Sequence, residues 1–397
     1  MKLVAAVVAV VVVSTGGVVA FAVVETVSAI KPGIHLATLP GQSARPVPAV
    51  GSIEGSVNVL LTGTDTRTGQ GGPFNSAAEL AGSSGAGNND VTMVLHIAAD
   101  HKSAVVVSIP RDLLVSIPRC PDGKGFSPAA SMQMFNTTLS RGGLSCVVLA
   151  AEKLTGLSIP YAAEISFDGV IAMSNAVGGV TVCLATRVVD RYSGLDLAAG
   201  QQTLVGAKAL AFVRSRHGIG DGSDLGRISN QQLFLSALLR KITSAGVLSN
   251  PVTLFSLAHA TLSNMQLSDT LSQPTTLVAI ALALKNLSLN NIVFVQYPSR
   301  SDPAYPGRVV PDSGSANILN AALVADQQVQ LTGKVGPAAV VSLPASPAAP
   351  SAPPTPSASA PSSPAPSASA PPSTVVALPS NITGQTASEQ TCTKGNR

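Results

Sequence analysis

The chain has 397 residues, of which 45% are hydrophobic, 11% are charged and none is tryptophan, and its formal net charge is +4 at pH 7. This length is enough for one large domain with appendages. The weak positive charge is compatible with anionic substrates but is far from the dense basic stripe of a nucleic-acid-binding protein, so we expect no nucleic-acid partner.

The N-terminus carries an uncharged hydrophobic run from Leu3 to Val24. As a helix it would be roughly 33 Å long, about the thickness of the bilayer core. We predict a transmembrane signal-anchor at residues 1–25, which makes the protein a single-pass protein of the cell membrane with its remainder outside the cytoplasm. A cleaved signal peptide is the alternative, because residues 20–22 (Ala-Phe-Ala) resemble a cleavage site. Residues 26–55 are predicted to be a juxtamembrane linker.

Buried β-branched runs and helical periodicities follow one another along residues 56–333. The runs VNVLLTG, VTMVLHIA, SAVVVSIP, GGVTVCL and IVFVQYP predict strands. Helical spacing predicts helices at residues 146–154, 167–176, 207–213, 224–242 and 277–285, with Ser223 or Asp224 as the N-cap of the fourth. The pattern predicts an α/β fold, more specifically an α+β sandwich with a central mixed β-sheet flanked by helices.

The C-terminal part changes composition to proline, serine and alanine. It has no periodic apolar face, so we predict a folded domain with a C-terminal extension over residues 56–333 and a disordered linker over residues 334–379. Residues 380–397 would form a short C-terminal tail. A spacer through cell-wall material and an inert tail are both compatible with this composition.

Four cysteines suit an oxidising compartment. Cys120 and Cys146 flank a loop-like stretch rich in Gly, Pro and Ser, so we favour a disulfide between them, which leaves Cys183 and Cys392 as the second pair. The chain has no C-x-x-C spacing, so a zinc site is not expected.

Arginine and aspartate residues punctuate the predicted strands. Asp65 and Arg67 follow the first strand, and Arg111 and Asp112 follow the third. Asp90 precedes the second strand, so it would meet the others only if that strand runs antiparallel to them. Arginine forks bind phosphate oxygens, and carboxylates bind a hard cation such as Mg²⁺ that bridges phosphates. The set therefore indicates chemistry on a pyrophosphate, although each residue alone could be a turn, a cap or a solvated charge.

Two further groups extend this set. Arg227 and Gln231 are four residues apart on one face of the predicted helix 224–242, near its N-terminus, where anions bind well. Arg214 and Arg216 would diverge by roughly 200° on a helix, so the chain must leave helical geometry by Arg214 for both to reach one ligand. The chain has no nucleophile elbow, Walker loop or Rossmann fingerprint, and no histidine has the spaced partner of a zinc protease.

The chain resembles the LytR–CpsA–Psr family of bacterial envelope proteins. The motifs that carry the resemblance are NVLLTGTDTR, NDVTMVLHI, VVVSIPRDLLVSIP, FNTTLSRGG, AVGGVTV, GAKALAFVRSRH and SDLGRISNQQ. The resemblance implies an extracytoplasmic Mg-dependent phosphotransferase that moves a glycopolymer from a polyprenyl-pyrophosphate carrier to peptidoglycan. The polymer would be teichoic acid, capsule or arabinogalactan, and the polyprenyl tail would lie in an apolar tunnel between the sheet and the helices.

The resemblance also implies roles for individual residues. Asp65 and Asp90 would hold Mg²⁺ (or Mn²⁺), with Arg111 and Asp112 completing the catalytic set. The pyrophosphate would be held by Arg67, Arg111, Arg214, Arg216, Arg227 and Gln231. Members of the family often carry an arginine where this chain has Asn88, so one phosphate contact is missing or is supplied by Arg67.

The implied reaction is attack of a muramic-acid hydroxyl on the sugar-linked phosphorus, with Asp65 or Asp112 as a candidate base. Two alternatives remain open: a non-catalytic protein that binds envelope glycopolymers, and a polyprenyl-pyrophosphate pyrophosphatase.

Overall fold

The computed structural model describes residues 31–39, 54–68, 70, 76, 80–81, 87–244, 250–285, 287–341 and 375–396. Seven helices of the described residues are, in chain order, α1 (Thr138–Thr155), α2 (Phe167–Ala176), α3 (Ala207–Arg214), α4 (Asp224–Thr243), α5 (Pro251–Ser263), α6 (Pro274–Lys285) and α7 (Ser313–Val324). Short 3-10 helices lie at Phe135–Thr137 and Leu289–Asn291.

The strands of the described residues are, in chain order, β1 (Val57–Thr64), β2 (Asn89–Ile97), β3 (Ala104–Ile109), β4 (Leu114–Ile117), β5 (Cys120–Pro121), β6 (Phe126–Ser127), β7 (Ala130–Met134), β8 (Tyr161–Ile165), β9 (Val180–Leu184), β10 (Val188–Asp190), β11 (Leu195–Leu197), β12 (Gly200–Leu204), β13 (Met265–Leu267), β14 (Ile292–Gln296), β15 (Ser299–Ser301), β16 (Val309–Pro311), β17 (Val329–Gln330), β18 (Ala339–Val341), β19 (Val376–Ala377), β20 (Gly384–Thr386) and β21 (Thr391–Thr393).

A seven-stranded mixed sheet forms the centre, in the order β13-β8-β1-β2-β3-β14-β20. β2 runs antiparallel to both β1 and β3, whereas β8 is parallel to β1 and β14 is parallel to β3. A second sheet has the order β12-β9-β21-β18. The predicted α+β fold with a central mixed sheet and flanking helices is confirmed.

Helices cover both faces of the central sheet. Leu60 and Val94 belong to the buried cluster that contains α1 and α7. Val59 and Met93, which alternate with them along β1 and β2, belong to the cluster formed with α4, α5 and α6. Because both faces are buried, β3 is buried at every position and reads as a continuous apolar run.

The predicted helices and strands are confirmed, but two helices begin earlier than predicted, and one of them is α6, which begins at Pro274 rather than at residue 277. Ser223 is the N-cap of α4, and its side chain accepts a hydrogen bond from the Gly226 N–H. Helix α1 begins at Thr138 rather than at residue 146, with a break at Gly142 and Gly143. A side chain at Gly142 would lie 2.4 Å from the Pro121 carbonyl oxygen, so this close approach requires glycine and interrupts the helical pattern.

Both disulfides are formed. Cys120 is bonded to Cys146, and Cys183 is bonded to Cys392 across 209 positions of sequence. The favoured pairing and its remainder are therefore confirmed.

Strands of the folded domain extend into both ends of the predicted linker and into the predicted tail. β18 and β19 lie inside the segment predicted to be a linker, and the predicted tail contains β20 and β21. β20 pairs with β14 and becomes the edge strand of the central sheet, and β21 lies between β9 and β18 in the second sheet. Strands of two or three residues are too short to show a periodic pattern in the sequence, and they are stabilised by the sheets that they join.

The N-terminal segment joins the domain earlier than predicted. Residues 31–39 fall within the predicted juxtamembrane linker, yet Ile34 pairs with Ser268 beside β13. The predicted signal-anchor at residues 1–25 lies outside the described residues. In the part of the chain that the structure describes, no helix is both long enough and apolar enough to cross a membrane.

Candidate active site

The ends of the three central strands meet at one edge of the sheet. β2 is antiparallel to its neighbours, and Thr64 pairs with Asn89 across β1 and β2. Asp90, the second residue of β2, therefore lies beside the ends of β1 and β3, which are followed by Asp65 and Arg111. The antiparallel arrangement that the sequence required for Asp90 is confirmed.

Asp90, Arg111, Asp224 and Arg227 form one charged cluster at this edge. Arg111 Nη1 lies 2.5 Å from Asp90 Oδ1, and Arg227 Nη2 donates to the Asp90 carbonyl oxygen at 2.6 Å. Arg227 Nη2 also lies 2.6 Å from Asp224 Oδ1, an ion pair without hydrogen-bond geometry. The Arg111 N–H donates to Asp224 Oδ2 at 3.1 Å, so the first turn of α4 is fixed to the end of β3.

The environment of Asp90 shifts its acidity. Burial raises the pKa of Asp90, the positive charges of Arg227 and Arg111 lower it, and the carboxylates of Asp65 and Asp224 raise it further; the net shift is upward. A carboxylate that is desolvated and close to other carboxylates gains stability from a cation.

Asp65 is held from the backbone of Asn88. The Asn88 N–H donates to Asp65 Oδ1 at 2.6 Å, and the Asp65 N–H donates to the Asn88 carbonyl oxygen at 3.1 Å. At the position where the resemblance leads one to expect arginine, the main chain thus orients the first of the two predicted metal-binding aspartates.

A cavity of about 490 Å³ opens beside this cluster, between the central sheet and helices α2, α3, α4 and α5. Five predicted site residues line it: Asp90, Arg214, Arg216, Arg227 and Gln231. Most of the remaining wall is apolar, including Leu61, Val91, Met93, Ile165, Phe167, Val170, Met173, Leu210, Val213, Phe234, Leu235, Leu238 and Met265. The cavity therefore combines an apolar body with three arginines and two aspartates, Asp90 and Asp190.

Arg214, the last residue of α3, and Arg216, which follows it, both reach the cavity because the helix ends at Arg214. Ser215 has extended geometry, with φ −57° and ψ 132°. The Arg214 guanidinium lies 4.3 Å from the centroid of the Phe167 ring, a cation–π contact. Arg216 Nε is buried and makes no hydrogen bond to the described protein atoms. The geometric requirement inferred from the R-S-R spacing is confirmed.

Asp190, which the sequence interpretation missed, holds this loop in place. Its Oδ2 accepts from the Ser215 hydroxyl at 2.8 Å, the Arg216 N–H at 2.9 Å and the Gly218 N–H at 3.1 Å. Its Oδ1 accepts from the Tyr192 N–H at 3.0 Å. Burial alone would raise the pKa of Asp190, but these hydrogen bonds outweigh it and the pKa is lowered. The signal that could have found it is a strand ending in Asp before the turn residues Arg-Tyr-Ser-Gly.

We expect Asp190→Asn to destabilise the fold by about 2 kcal/mol, because an amide replaces a carboxylate that accepts several buried hydrogen bonds. Loosening of the Arg216 backbone should lower turnover about tenfold, since misplacement of a binding group weakens catalysis. Because the folded pKa is lowered, the stability difference from the wild type should be complete above the ordinary pKa of Asp, about 3.9, and should shrink as the pH falls below it. Urea unfolding at pH 3 and pH 7 measures this; an equal difference at both would contradict the role of the charge.

Four predicted residues lie outside the cavity wall. Asp65, Arg67, Arg111 and Asp112 are not among the residues that line it. Arg111 reaches the site through Asp90, whereas Asp112 Oδ1 accepts from Arg308 Nη1 at 2.9 Å. Arg308 was missed because it is 196 positions away and no motif marks it. The role of Asp112 as a general base stays a prediction.

The histidines divide between core and site. His96 is buried in β2 with its Nδ1 2.7 Å from Asn58 Oδ1, and burial lowers its pKa despite the neighbouring Asp326. His217 lines the cavity and packs against the exposed Tyr192 ring at 4.6 Å between centroids.

This fold and site define an α+β protein with a cluster of arginine and aspartate side chains beside a largely apolar cavity. The LytR_cpsA_psr family model matches residues 37–322, and the chain belongs to this family.

The names of two similar proteins agree with this family. The cell wall biosynthesis protein LcpA of Corynebacterium glutamicum is 32% identical over 271 residues, which cover 62% of this chain and 51% of that protein. The polyisoprenyl-teichoic acid–peptidoglycan teichoic acid transferase TagT of Bacillus subtilis is 29% identical over 61% of this chain and 70% of that protein. The chain thus spans about half the length of the Corynebacterium relative.

A solved structure has the same fold. The LytR-Csp2A-Psr enzyme from Actinomyces oris superposes with a TM-score of 0.52 at 22% sequence identity, covering 74% of this chain and 96% of that one.

Proposed function

We propose that the protein is a phosphotransferase that moves a glycopolymer from a polyprenyl-pyrophosphate carrier to peptidoglycan. The observation that carries this proposal is that Arg214, Arg216 and Arg227 line a cavity whose remaining wall is mostly apolar. A molecule that fits both parts has a long hydrocarbon tail and an anionic head group, because apolar walls bind the tail and guanidinium groups bind phosphate oxygens. The names of the relatives, as cell-wall biosynthesis proteins and teichoic acid transferases, support the same substrate class.

We also propose that Mg²⁺ or Mn²⁺ is held by Asp65 and Asp90. The described residues contain no group of three or more His, Cys, Asp or Glu side chains that could hold a metal ion. Mg²⁺ is commonly bound by one or two carboxylates together with substrate phosphates, so a pair of aspartates fits it. The upward pKa shift of Asp90 beside Asp65 is consistent with such a site. When bound, the cation would neutralise charge on the pyrophosphate oxygens.

The residues of the chain suggest how transfer would proceed. A muramic-acid hydroxyl of peptidoglycan attacks the sugar-linked phosphorus, and a P–O bond forms between the two. The bond between that phosphorus and the bridging oxygen of the pyrophosphate breaks, which releases polyprenyl phosphate. The proton of the hydroxyl passes to solvent, and the electron pair of the broken P–O bond leaves with the polyprenyl phosphate. Arg214, Arg216 and Arg227 bind and orient the pyrophosphate and stabilise the charge on the transferring and leaving oxygens. Gln231 donates to the Val213 carbonyl oxygen at 3.0 Å and so fixes α3 to α4 beneath them.

We propose an extracytoplasmic location at the cell membrane, behind the predicted N-terminal anchor. Two formed disulfides support an oxidising compartment. The proposed polymer is teichoic acid, capsule or arabinogalactan.

Product analysis tests the function. Full-length protein in lipid vesicles is given a polyprenyl-pyrophosphate-linked glycan and Mg²⁺, with and without peptidoglycan fragments. We expect the polymer to appear on peptidoglycan through a phosphodiester, together with polyprenyl phosphate, only when the acceptor is present. Equal release of polyprenyl phosphate without the acceptor would indicate a pyrophosphatase, and binding without either product would indicate a glycopolymer-binding protein.

A further inference from the structure

The outward face of α6 is apolar. Val278 and Leu282, one turn apart, are 46% and 45% exposed, and Ala281 and Leu284 are exposed beside them. The helix sequence PTTLVAIALALK has no charged residue before its last position. Surface helices of soluble domains normally carry polar or charged residues on this side, and a helix that is apolar all round is normally covered.

The surrounding sequence shares this character. Between Asn250 and Leu284, Asp269 is the only charged residue, in a chain in which 11% of residues are charged. Val252, at the start of α5, is 72% exposed. Leu262 of α5 and Ile280 of α6 pack into the same buried cluster against the central sheet, on the side where Leu61 and Met93 line the cavity. The exposed apolar surface thus lies on the cavity side of the sheet.

The N-terminal segment enters the domain beside α6. The Ile34 N–H donates to the Leu267 carbonyl oxygen, and the Asp269 N–H donates to the Ile34 carbonyl oxygen, both at 2.9 Å. A side chain at Gly33 would lie 2.4 Å from Asp269 Cα, so the segment is tightly apposed to the connection between α5 and α6. Val24 ends the uncharged run and is seven residues before Lys31, a span of at most about 25 Å.

We propose that the face of α6 formed by Val278, Ala281, Leu282 and Leu284 lies in the surface of the lipid bilayer. This proposal rests on the proposed function and on the predicted anchor, which brings the bilayer within reach of the α5–α6 connection. A bilayer surface satisfies an exposed helix face of this composition, because apolar side chains enter the boundary between head groups and acyl chains.

The same placement suggests a route for the lipid tail. β13 lines the cavity at Met265 and binds the N-terminal segment at Leu267. Along α4, Arg227 and Leu238 both line the cavity, and their separation corresponds to about 16 Å of helix. The cavity therefore extends along α4 from Arg227 to Leu238, and its wall includes Met265, which belongs to the strand that holds the N-terminal segment. With α6 in the bilayer, a polyprenyl tail would pass from lipid to cavity with little exposure to water.

The chain contains no tryptophan, so a single introduced tryptophan reports this contact. Full-length Leu282→Trp is reconstituted into phosphatidylglycerol–phosphatidylcholine vesicles with or without acyl-chain-brominated lipid. We expect blue-shifted emission and quenching of at least about twofold by the brominated lipid, since the side chain would lie at the acyl boundary.

Ile318→Trp is the matched control. Ile318 is 43% exposed and lies on α7, which packs on the opposite face of the central sheet. Its emission should stay red-shifted and unquenched, and circular dichroism should show both variants folded as the wild type. Equal quenching of the two tryptophans, or a red-shifted and unquenched Trp at position 282, would overturn the proposal. A blue-shifted but unquenched Trp at position 282 would indicate that another protein surface covers α6, which also overturns it.

The quenching measurement uses no glycan substrate. It can therefore succeed where the transfer assay fails, and a loss of transfer activity does not change its outcome.

Discussion

Arg227→Lys is expected to lower kcat/KM for glycopolymer transfer by about 100-fold, a loss within the range found when one donor to a developing oxyanion is removed. The Arg227 side chain is buried, lines the cavity and reaches both Asp224 and the Asp90 carbonyl oxygen. Lysine keeps the charge but presents a single ammonium group, which cannot bind two partners and a phosphate in one plane. The loss should appear in kcat as well as in kcat/KM, because the contact strengthens as charge moves to the leaving oxygen.

Arg187→Lys is the matched control for this experiment. Arg187 is an exposed arginine that binds Asp196 through Nε and Nη2 at 2.9 and 2.7 Å, outside the cavity wall. Its substitution should leave transfer close to the wild-type rate. Lysine is used at position 227, rather than alanine, because removal of the charge would leave Asp224 buried without a counter-charge. Wild-type turnover by Arg227→Lys would remove Arg227 from the pyrophosphate-binding set.

Much of the fold was accessible from sequence because its long elements carry strong local signals. β1, β2 and β3 are β-branched runs bounded by turn residues, and α4 begins with a serine cap before an amphipathic stripe. The end of α3 at Arg214 was predicted from the requirement that both arginines reach one ligand, since two arginines at i and i+2 cannot share a helical face. These inferences needed no knowledge of distant contacts.

Other features depend on contacts between segments far apart in sequence. Asp190 binds the Arg216 loop from a three-residue strand, and Arg308 reaches Asp112 across 196 positions. The strands β20 and β21 have three residues each, which is too short for a period of two to be recognised. Their pairing is determined by the edges of sheets that form elsewhere in the chain.

The C-terminal segment contacts residues 215–218, the loop that follows α3 and carries Arg216 (the arginine loop). The Asn396 N–H donates to the Gly218 carbonyl oxygen at 2.9 Å, and its side-chain amide donates to the His217 carbonyl oxygen at 3.0 Å. The Thr393 hydroxyl donates to Asn230 Oδ1 at 2.6 Å, one residue before Gln231. A segment first predicted to be a tail thus contacts both the backbone next to Arg216 and the helical turn that carries Arg227 and Gln231.

Removal of the disulfide that holds this segment should therefore affect both stability and activity. We expect Cys183→Ala/Cys392→Ala to lower the free energy of unfolding by about 5 kcal/mol, because the chain-entropy model gives the largest effect to the longest closed loop and this bond joins residues 209 positions apart. Such a loss is a large fraction of the stability of a typical domain. Turnover of the folded fraction should also fall, since β21 and Asn396 would no longer be tied to β9 and the arginine loop.

Cys120→Ala/Cys146→Ala separates these two effects. This disulfide closes a sequence separation of 26, so the same model gives about 3.5 kcal/mol. It joins β5 to α1, and neither cysteine lines the cavity. Urea unfolding without reductant gives the stability of each double variant, and transfer assays at low temperature give the activity per folded molecule. Activity lost only with the Cys183–Cys392 bond would show that the C-terminal segment orders the arginine loop, whereas equal losses in both variants would attribute them to general destabilisation.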